Sequence, residues 1–146
     1  MSYRIRPSAP HDADRIMAIW RGAVDATHDF LSDADRVAIE AEVARFLPTA
    51  PLLLAIDADD WPIGFMLLDE SRIEALFVDP HHHGRGAGRA LLAHALTHHP
   101  VLDADVNAQN AQAAGFYARM GFVPVGESDR DGQGRPYPLI HLRRPA

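Results

Sequence analysis

Glycines at positions 84, 86 and 88 follow an apolar run and a break at Asp79-Pro80. The run reads as a strand over 73–78, and the glycines as a loop that opens a helix. Without Cβ atoms, glycines let backbone N–H groups come close to a ligand. The helix N-terminus adds the positive end of its dipole. Strand, glycine loop and helix start together make a cradle for an anion such as a pyrophosphate. Arg85 and Arg89 add positive charge where phosphates would sit. The plainer alternative is a glycine-rich turn that only caps a core helix.

Two further clusters carry chemistry. In the stretch from Asn107 to Phe122, Asn110, Ala113 or Ala114, and Tyr117 recur at helical spacing and share a face. Asn110 could hydrogen-bond an amide, and the Tyr117 phenol could serve a leaving group. Phe116 and Met120 read as core packing. Upstream, residues 24–31 hold Asp25, His28 and Asp29 beside Phe30-Leu31. These polar groups could meet a cationic amine, and His28 could take its proton. Equally, the segment could be a helix end held by local hydrogen bonds, with Phe30 and Leu31 packed inward.

The glycine spacing narrows the ligand. A P-loop needs Gly-x4-Gly-Lys-Ser/Thr, and no Gly-Lys-Ser/Thr occurs. A dinucleotide-binding turn needs G-x-G-x-x-G near the start of a βαβ unit. Here the spacing is G-x-G-x-G, past the middle of the chain. The run His83-Gly84-Arg85-Gly86-Ala87-Gly88 resembles the acyl-CoA signature of the GNAT N-acetyltransferases, Arg/Gln-x-x-Gly-x-Gly/Ala. His83 stands where the family has Arg or Gln. The 107–122 stretch is similar to the family's Asn-x-x-Ala-x-x-x-Tyr-x-x-x-Gly-Phe segment.

The resemblance implies acetyl-CoA as co-substrate. It would be held by Leu76, Phe77, Val78, the loop residues His83, Gly84, Arg85, Gly86, Ala87, Gly88 and Arg89, and by Asn110 and Tyr117. It implies transfer of acetyl to a primary amine by direct attack in a ternary complex. A backbone N–H of residues 76–78 would meet the oxyanion, and Tyr117 would be the general acid. Glu74 is a candidate base. Alternation puts it on the face of Leu76 and Val78, and the family often uses a carboxylate of this strand. It could equally be a surface residue.

Residues 24–31, together with Gly134-Arg135-Pro136-Tyr137-Pro138-Leu139, resemble a subgroup of small bacterial family members. That implies an acceptor site made by Asp25, His28, Asp29, Phe30 and Tyr137. The acceptor would be a small amine, an amino-acid derivative or a protein lysine. Two other classes stay open. A non-catalytic acyl-CoA sensor would keep the cradle without turnover. A dinucleotide-dependent oxidoreductase is opposed by the glycine spacing and the lack of an early βαβ unit.

The elements that must position these groups follow from periodicity. Residues 3–6 alternate as a strand. Pro10 suits the first turn of a helix to about residue 26. Its apolar stripe is Ala13, Ile16, Met17, Trp20 and Val24. Ser32-Asp33-Ala34-Asp35 caps a second helix ending near Leu47-Pro48. Strands follow at 52–56, 62–68 and 73–78, then the glycine-loop helix to about residue 98, which Pro100 ends. A strand at 102–106 runs parallel to 73–78. A helix at 110–120 stops at Gly121, and strands at 122–126 and 137–142 close the chain. The order β-α-α-β-β-β-α-β-α-β-β is that of an α/β (α+β), GNAT-like fold. A mixed sheet of about seven strands carries about four helices.

Composition sets the outer bounds. With 146 residues the chain reads as a single N-acetyltransferase domain, 1–146. Its 47% hydrophobic and 23% charged content is that of a globular protein. No apolar run approaches the roughly 20 residues of a membrane span, and the N-terminus shows no signal-peptide core. The expected setting is cytoplasmic, with no membrane partner. Absent cysteines exclude disulfides and thiolate chemistry. A formal charge of −6 argues against nucleic-acid binding and suits a cationic substrate. His81-His82-His83 gives no metal site, because adjacent loop residues rarely aim their rings at one ion. No metal is expected, and the oligomeric state is unreadable from sequence.

Overall fold

The computed structural model describes residues 3–146. Its strands are β1 (Arg4–Pro7), β2 (Leu53–Ile56), β3 (Pro62–Asp69), β4 (Arg72–Val78), β5 (Leu102–Asn107), β6 (Val123–Ser128) and β7 (Leu139–Arg144). The helices are α1 (Ala13–Thr27), α2 (Asp33–Phe46), α3 (Ala87–His98) and α4 (Ala111–Arg119). The element order is the one expected. The strands form one sheet in the order β1-β2-β3-β4-β5-β7-β6. By its contacts the chain divides into two compact units. One comprises residues up to Leu67 with Ala75–His94; the other comprises Leu68–Glu74 with Ala95–Ala146.

In the first unit β1 and β2 pair antiparallel, as do β2 and β3. Ile16, Met17, Ile19, Trp20 and Val24 of α1 cluster with Leu54, Ile56 and Phe65 of the sheet. Side chains such as Ile16 and Phe65 are fully buried, each worth about 1.5–3 kcal/mol in transfer terms. Ile19 and Ala23 join the expected stripe, whereas Ala13 is only half-buried. Helix α2 buries no residue fully and leans on the cluster through Ile39 and Val43. Ser32 caps it, accepting from the Asp35 N–H at 3.1 Å.

The start of α1 departs from expectation. Pro10–Asp12 is a separate 3-10 turn, and α1 begins at Ala13. The physical reason is Asp12, which points inward and is only 3% exposed. Its two oxygens receive Arg6 in a fork, at 2.9 and 3.0 Å, and one also accepts the Ala9 N–H at 2.8 Å. The turn places that carboxylate under β1 rather than on the helix axis.

In the second unit β5 pairs antiparallel with β7, from Leu102↔Arg144 to Asn107↔Leu139. Strands β6 and β7 pair antiparallel, with a register shift between Pro124 and Gly126. Strands β4 and β5 are parallel, through Arg72↔Asp103 and Ile73↔Ala104. Along β5, Leu102, Ala104 and Val106 are buried, while Asp103, Asp105 and Asn107 take the other face. Helix α4 ends in a left-handed glycine: Gly121 has φ +94°. The Phe122 N–H reaches Tyr117 O at 3.0 Å and the Gly121 N–H reaches Ala118 O at 3.1 Å, the two bonds of a Schellman motif. The last strand starts at Leu139 rather than 137.

The Arg6 fork, reinforced by the Ala9 N–H, holds the Asp12 carboxyl below the usual carboxylate range against the opposing effect of burial. A depressed folded-state pKa means the stabilisation is complete above the unfolded value of about 3.9 and is lost as pH falls through the folded one. Asp12→Asn should therefore lower the melting temperature at pH 7 by roughly 5–15 °C. The difference from wild type should close at strongly acidic pH. A variant that melts with wild type at pH 7 would show that the fork stabilises nothing.

Candidate active site

The glycine loop is built on a buried carboxylate. At the end of β4, Asp79 is 6% exposed. Its Oδ2 accepts from Arg15 Nη2 at 2.6 Å, and its Oδ1 accepts from the His81 N–H at 2.9 Å. His82 Nδ1 lies 3.7 Å from Oδ2. Burial pushes the Asp79 carboxyl up, but Arg15, the His81 N–H and the neighbouring charges outweigh it and hold the group low. Arg15 also donates to Pro62 O at 2.9 Å and lies 4.7 Å over the Trp61 ring. A 3-10 turn, Pro80–His82, follows Asp79 and leads into the glycines.

Gly84 and Gly86 have φ of +77° and +93°. A Cβ at either would meet nothing within 4 Å, so the loop borders open space. Arg85 and Arg89 are exposed beside it, and Gly88 is buried in the first turn of α3. His83 is exposed, and its N–H donates to Pro80 O at 3.3 Å. The N–H groups of a helix's first turn lack partners inside the helix. Open space, left-handed glycines and a helix start are what a pyrophosphate needs, so the loop fits an acyl-CoA. Upstream, Leu76, Phe77 and Val78 are half-buried. Gly64 lets β3 approach them: a Cβ there would lie 2.9 Å from Phe77 O.

In the second unit Tyr117 is buried, edge-on to Phe122 at 5.0 Å and to Phe116 at 5.5 Å. Burial pushes its phenol well above the usual range, so it stays protonated. Phe116 and Met120, read as core, are only half-buried. Asn110 does not sit within the helix. It is the N-cap of α4, with its side-chain oxygen accepting the Ala113 N–H at 3.1 Å. Its amide nitrogen is the end with donors to offer.

Glu74 is exposed, and its Oε1 lies 3.2 Å from Arg72 Nε. Arg72 also grips Asp105 on β5. From there a chain of polar groups, absent from the sequence reading, runs across the sheet. Asp105 Oδ1 lies 2.6 Å from His141 Nδ1, and His141 Nε2 lies 2.7 Å from Ser128 Oγ. Alternation along β5 signalled a polar face, but the partners on β6 and β7 need the register.

Around the end of α1, the His28 N–H reaches Val24 O at 2.8 Å. Thr27 donates to Ala23 O at 2.7 Å, and His28 Nδ1 lies 2.6 Å from Thr27 Oγ1. Thr27 has one proton and gives it to a carbonyl, so His28 Nδ1–H is the donor and Nε2 carries the lone pair. Burial lowers the His28 pKa, with Asp29 opposing. Phe30 lies 5.2 Å from the His28 ring. Asp25 is already paired, 3.0 Å from Arg36 Nε, while Asp29 is exposed. Tyr137 belongs to the second unit and is 8% exposed. Among the described residues, no group of His, Asp and Glu could hold a metal ion, and no helix is long and apolar enough to cross a membrane.

The order of elements and the seven-stranded mixed sheet are those of an acyltransferase fold. The acetyltransferase (GNAT) domain family matches residues 25–137, and the chain belongs to that family. It is 50% identical to the peptidyl-lysine N-acetyltransferase YjaB of Salmonella typhimurium, over 99% of this chain and 100% of that protein. The solution structure of apo-form YjaB from Escherichia coli superposes with a TM-score of 0.94 at 47% identity, covering all of both chains. An N-acetyltransferase, PaiA of Thermoplasma acidophilum in complex with coenzyme A, shares the fold at a TM-score of 0.80 and 20% identity, again over 100% of both chains.

Proposed function

We propose that this protein transfers acetyl from acetyl-CoA to the side-chain amine of a lysine in a protein, with residues 1–146 working as one catalytic domain. The observation that carries the cofactor half is the open, left-handed glycine loop at the start of α3. The acceptor half is supported by the relatives' names, which specify peptidyl lysine. Acetyl-CoA, when bound, supplies the thioester carbonyl that a neutral amine attacks, and departs as a thiol.

The residues divide the work. Residues 84–89 hold the phosphates. Asn110 offers its amide to the pantetheine arm, and backbone N–H groups near residues 76–78 face the developing oxyanion. Tyr117 faces the departing sulfur. An ordinary phenol, near 10, already exceeds a thiol near 8.5, and burial widens that gap. Tyr117 therefore acts as a fixed hydrogen-bond donor to the sulfur, with full proton release a lesser contribution. His28, Asp29, Phe30 and Tyr137 recognise the acceptor. Asp25, engaged by Arg36, shapes that loop.

Acetyl-CoA at about 100 times its Kd should stabilise the fold by about 2.7 kcal/mol, raising the melting temperature by roughly 5–10 °C. Gly86→Asp should abolish this shift while lowering the unliganded melting temperature by only a few degrees. A full shift in that variant would reduce the loop to a helix cap.

Tyr117→Phe keeps the ring packed and removes one donor. Its kcat on a lysine peptide should fall roughly 10²–10³-fold, with the acetyl-CoA shift intact. Undiminished turnover would mean that the thiolate leaves unaided.

His28→Ala should raise the KM for a lysine peptide or lower kcat, leaving acetyl-CoA binding unchanged. A clear loss of melting temperature with normal turnover per folded molecule would assign His28 to structure alone.

A further inference from the structure

Amide formation requires the lysine ammonium to lose a proton first. Of the two groups expected to accept that proton, Glu74 is engaged by Arg72, and burial lowers the pKa of His28 and so weakens it as a base. We propose that the proton instead passes through Ser128 to His141, making the Ser128–His141–Asp105 chain the amine-deprotonating relay; this rests on the acetyl-transfer reading above.

All the groups belong to the second unit and to one face of its sheet. His141↔Asp105 and His141↔Gly126 are register partners, and Ser128 lies one step along β6 on the same side. Ion-paired with Arg72, the Asp105 carboxylate can only accept, so the 2.6 Å contact makes His141 Nδ1–H the donor. The lone pair then sits on Nε2, and the 2.7 Å contact is Ser128 O–H donating to it. The Ser128 oxygen keeps its own lone pairs for an incoming donor. An ammonium there gives its proton to Ser128 Oγ as the Ser128 proton moves to Nε2. One N–H bond of the ammonium breaks and one forms on imidazole, and serine is unchanged.

The surroundings suit that step. His141 meets Asp105 on β5 and Ser128 on β6, and beyond Asp105 lie Arg72 and then Glu74 on β4. Arg143, on its own strand, is tied to Asp103 at 2.7 Å. Counting Arg72, Glu74 and Asp105, the cluster carries one net negative charge, which a proton on His141 neutralises. Arg72 fixes the far oxygen of Asp105, and Asp105 fixes the ring, so Arg72 and Asp105 are positioning residues.

The same three residue types serve as a nucleophile elsewhere, so the test must separate the two roles. The rate on a lysine peptide is measured from pH 7 to 10 for wild type, His141→Gln, Asp105→Asn and Ser128→Ala, with the acetyl-CoA thermal shift as a control for folding and cofactor binding. The relay expects kcat/KM at pH 7 to fall roughly 10²-fold or more in His141→Gln and Ser128→Ala. The deficit should shrink towards pH 10, where free amine becomes abundant. Nitrogen-15 NMR of the wild type should show His141 protonated at Nδ1 with Nε2 accepting. Variants that keep the wild-type rate and pH profile overturn the relay and leave acetyl transfer standing. Acetyl found on Ser128 by mass spectrometry overturns it in favour of a nucleophile. A wild-type protein that binds acetyl-CoA but acetylates no lysine peptide removes the acceptor reading and the relay with it.

Discussion

The Asp79 carboxylate is shared by groups from separate stretches of the first unit. Arg15 reaches it from α1, the His81 N–H from the turn, and the His82 ring stands just beyond. The Asp79 N–H itself donates to Ile63 O of β3 at 2.8 Å. Arg15 adds a bond to Pro62 O on the same strand. The glycine loop therefore leaves the sheet from a point fixed in several directions, not from a free strand end. Losing one partner of a buried pair typically costs about 3–5 kcal/mol, because the other charge stays buried and unmet. A loop of flexible glycines takes a defined course only when its entry is held firmly.

How much of this was legible depends on the range of the interaction. Element order followed from periodicity and breakers, since Pro10, Pro100 and Gly121 act within a turn of their own positions. The left-handed glycine loop was legible for the same reason, since glycine spacing is a local property. Asp12 lies in the expected first turn after Pro10 and carries no local sign of burial, because only its pairing with Arg6 on β1 turns it inward. Asn110 was placed one step too deep in α4, at the ±1 level where a cap and a first helical residue look alike. The Asp79–Arg15 pair joins residues 64 positions apart, and the polar chain on the C-terminal strands spans 36 between Asp105 and His141. Neither has a local signature. The first appears once the packing of α1 is known, and the second once strand register is known.

Tyr117 shows how packing changes a residue's chemistry without moving it. Its spacing from Asn110 marked it as functional. The edge-to-face contacts with Phe116 and Phe122 mark it as packed. The two readings are one: the rings that fix the phenol also dry it, and drying raises the cost of the phenolate. A dried, protonated hydroxyl is a strong directional donor and a weak acid. Such a group is better suited to donating a hydrogen bond than to surrendering its proton.

The polar face of the second unit raises the opposite question, why ion pairs are kept where water competes with them. Exposed pairs contribute about 0–1 kcal/mol, and Glu74, Arg72 and Arg143 are all substantially exposed. Their stability value is small. Their geometric value is larger, because each link orients the next: Glu74 holds Arg72, Arg72 holds Asp105, and Asp105 sets the tautomer of His141. A lone histidine on a strand samples two tautomers and several ring orientations. Here Nδ1 lies against Asp105 and Nε2 against Ser128, an arrangement that favours one tautomer and one ring orientation. Such a face makes physical sense as a device that positions one lone pair, and a solvated strand surface would need none of that order.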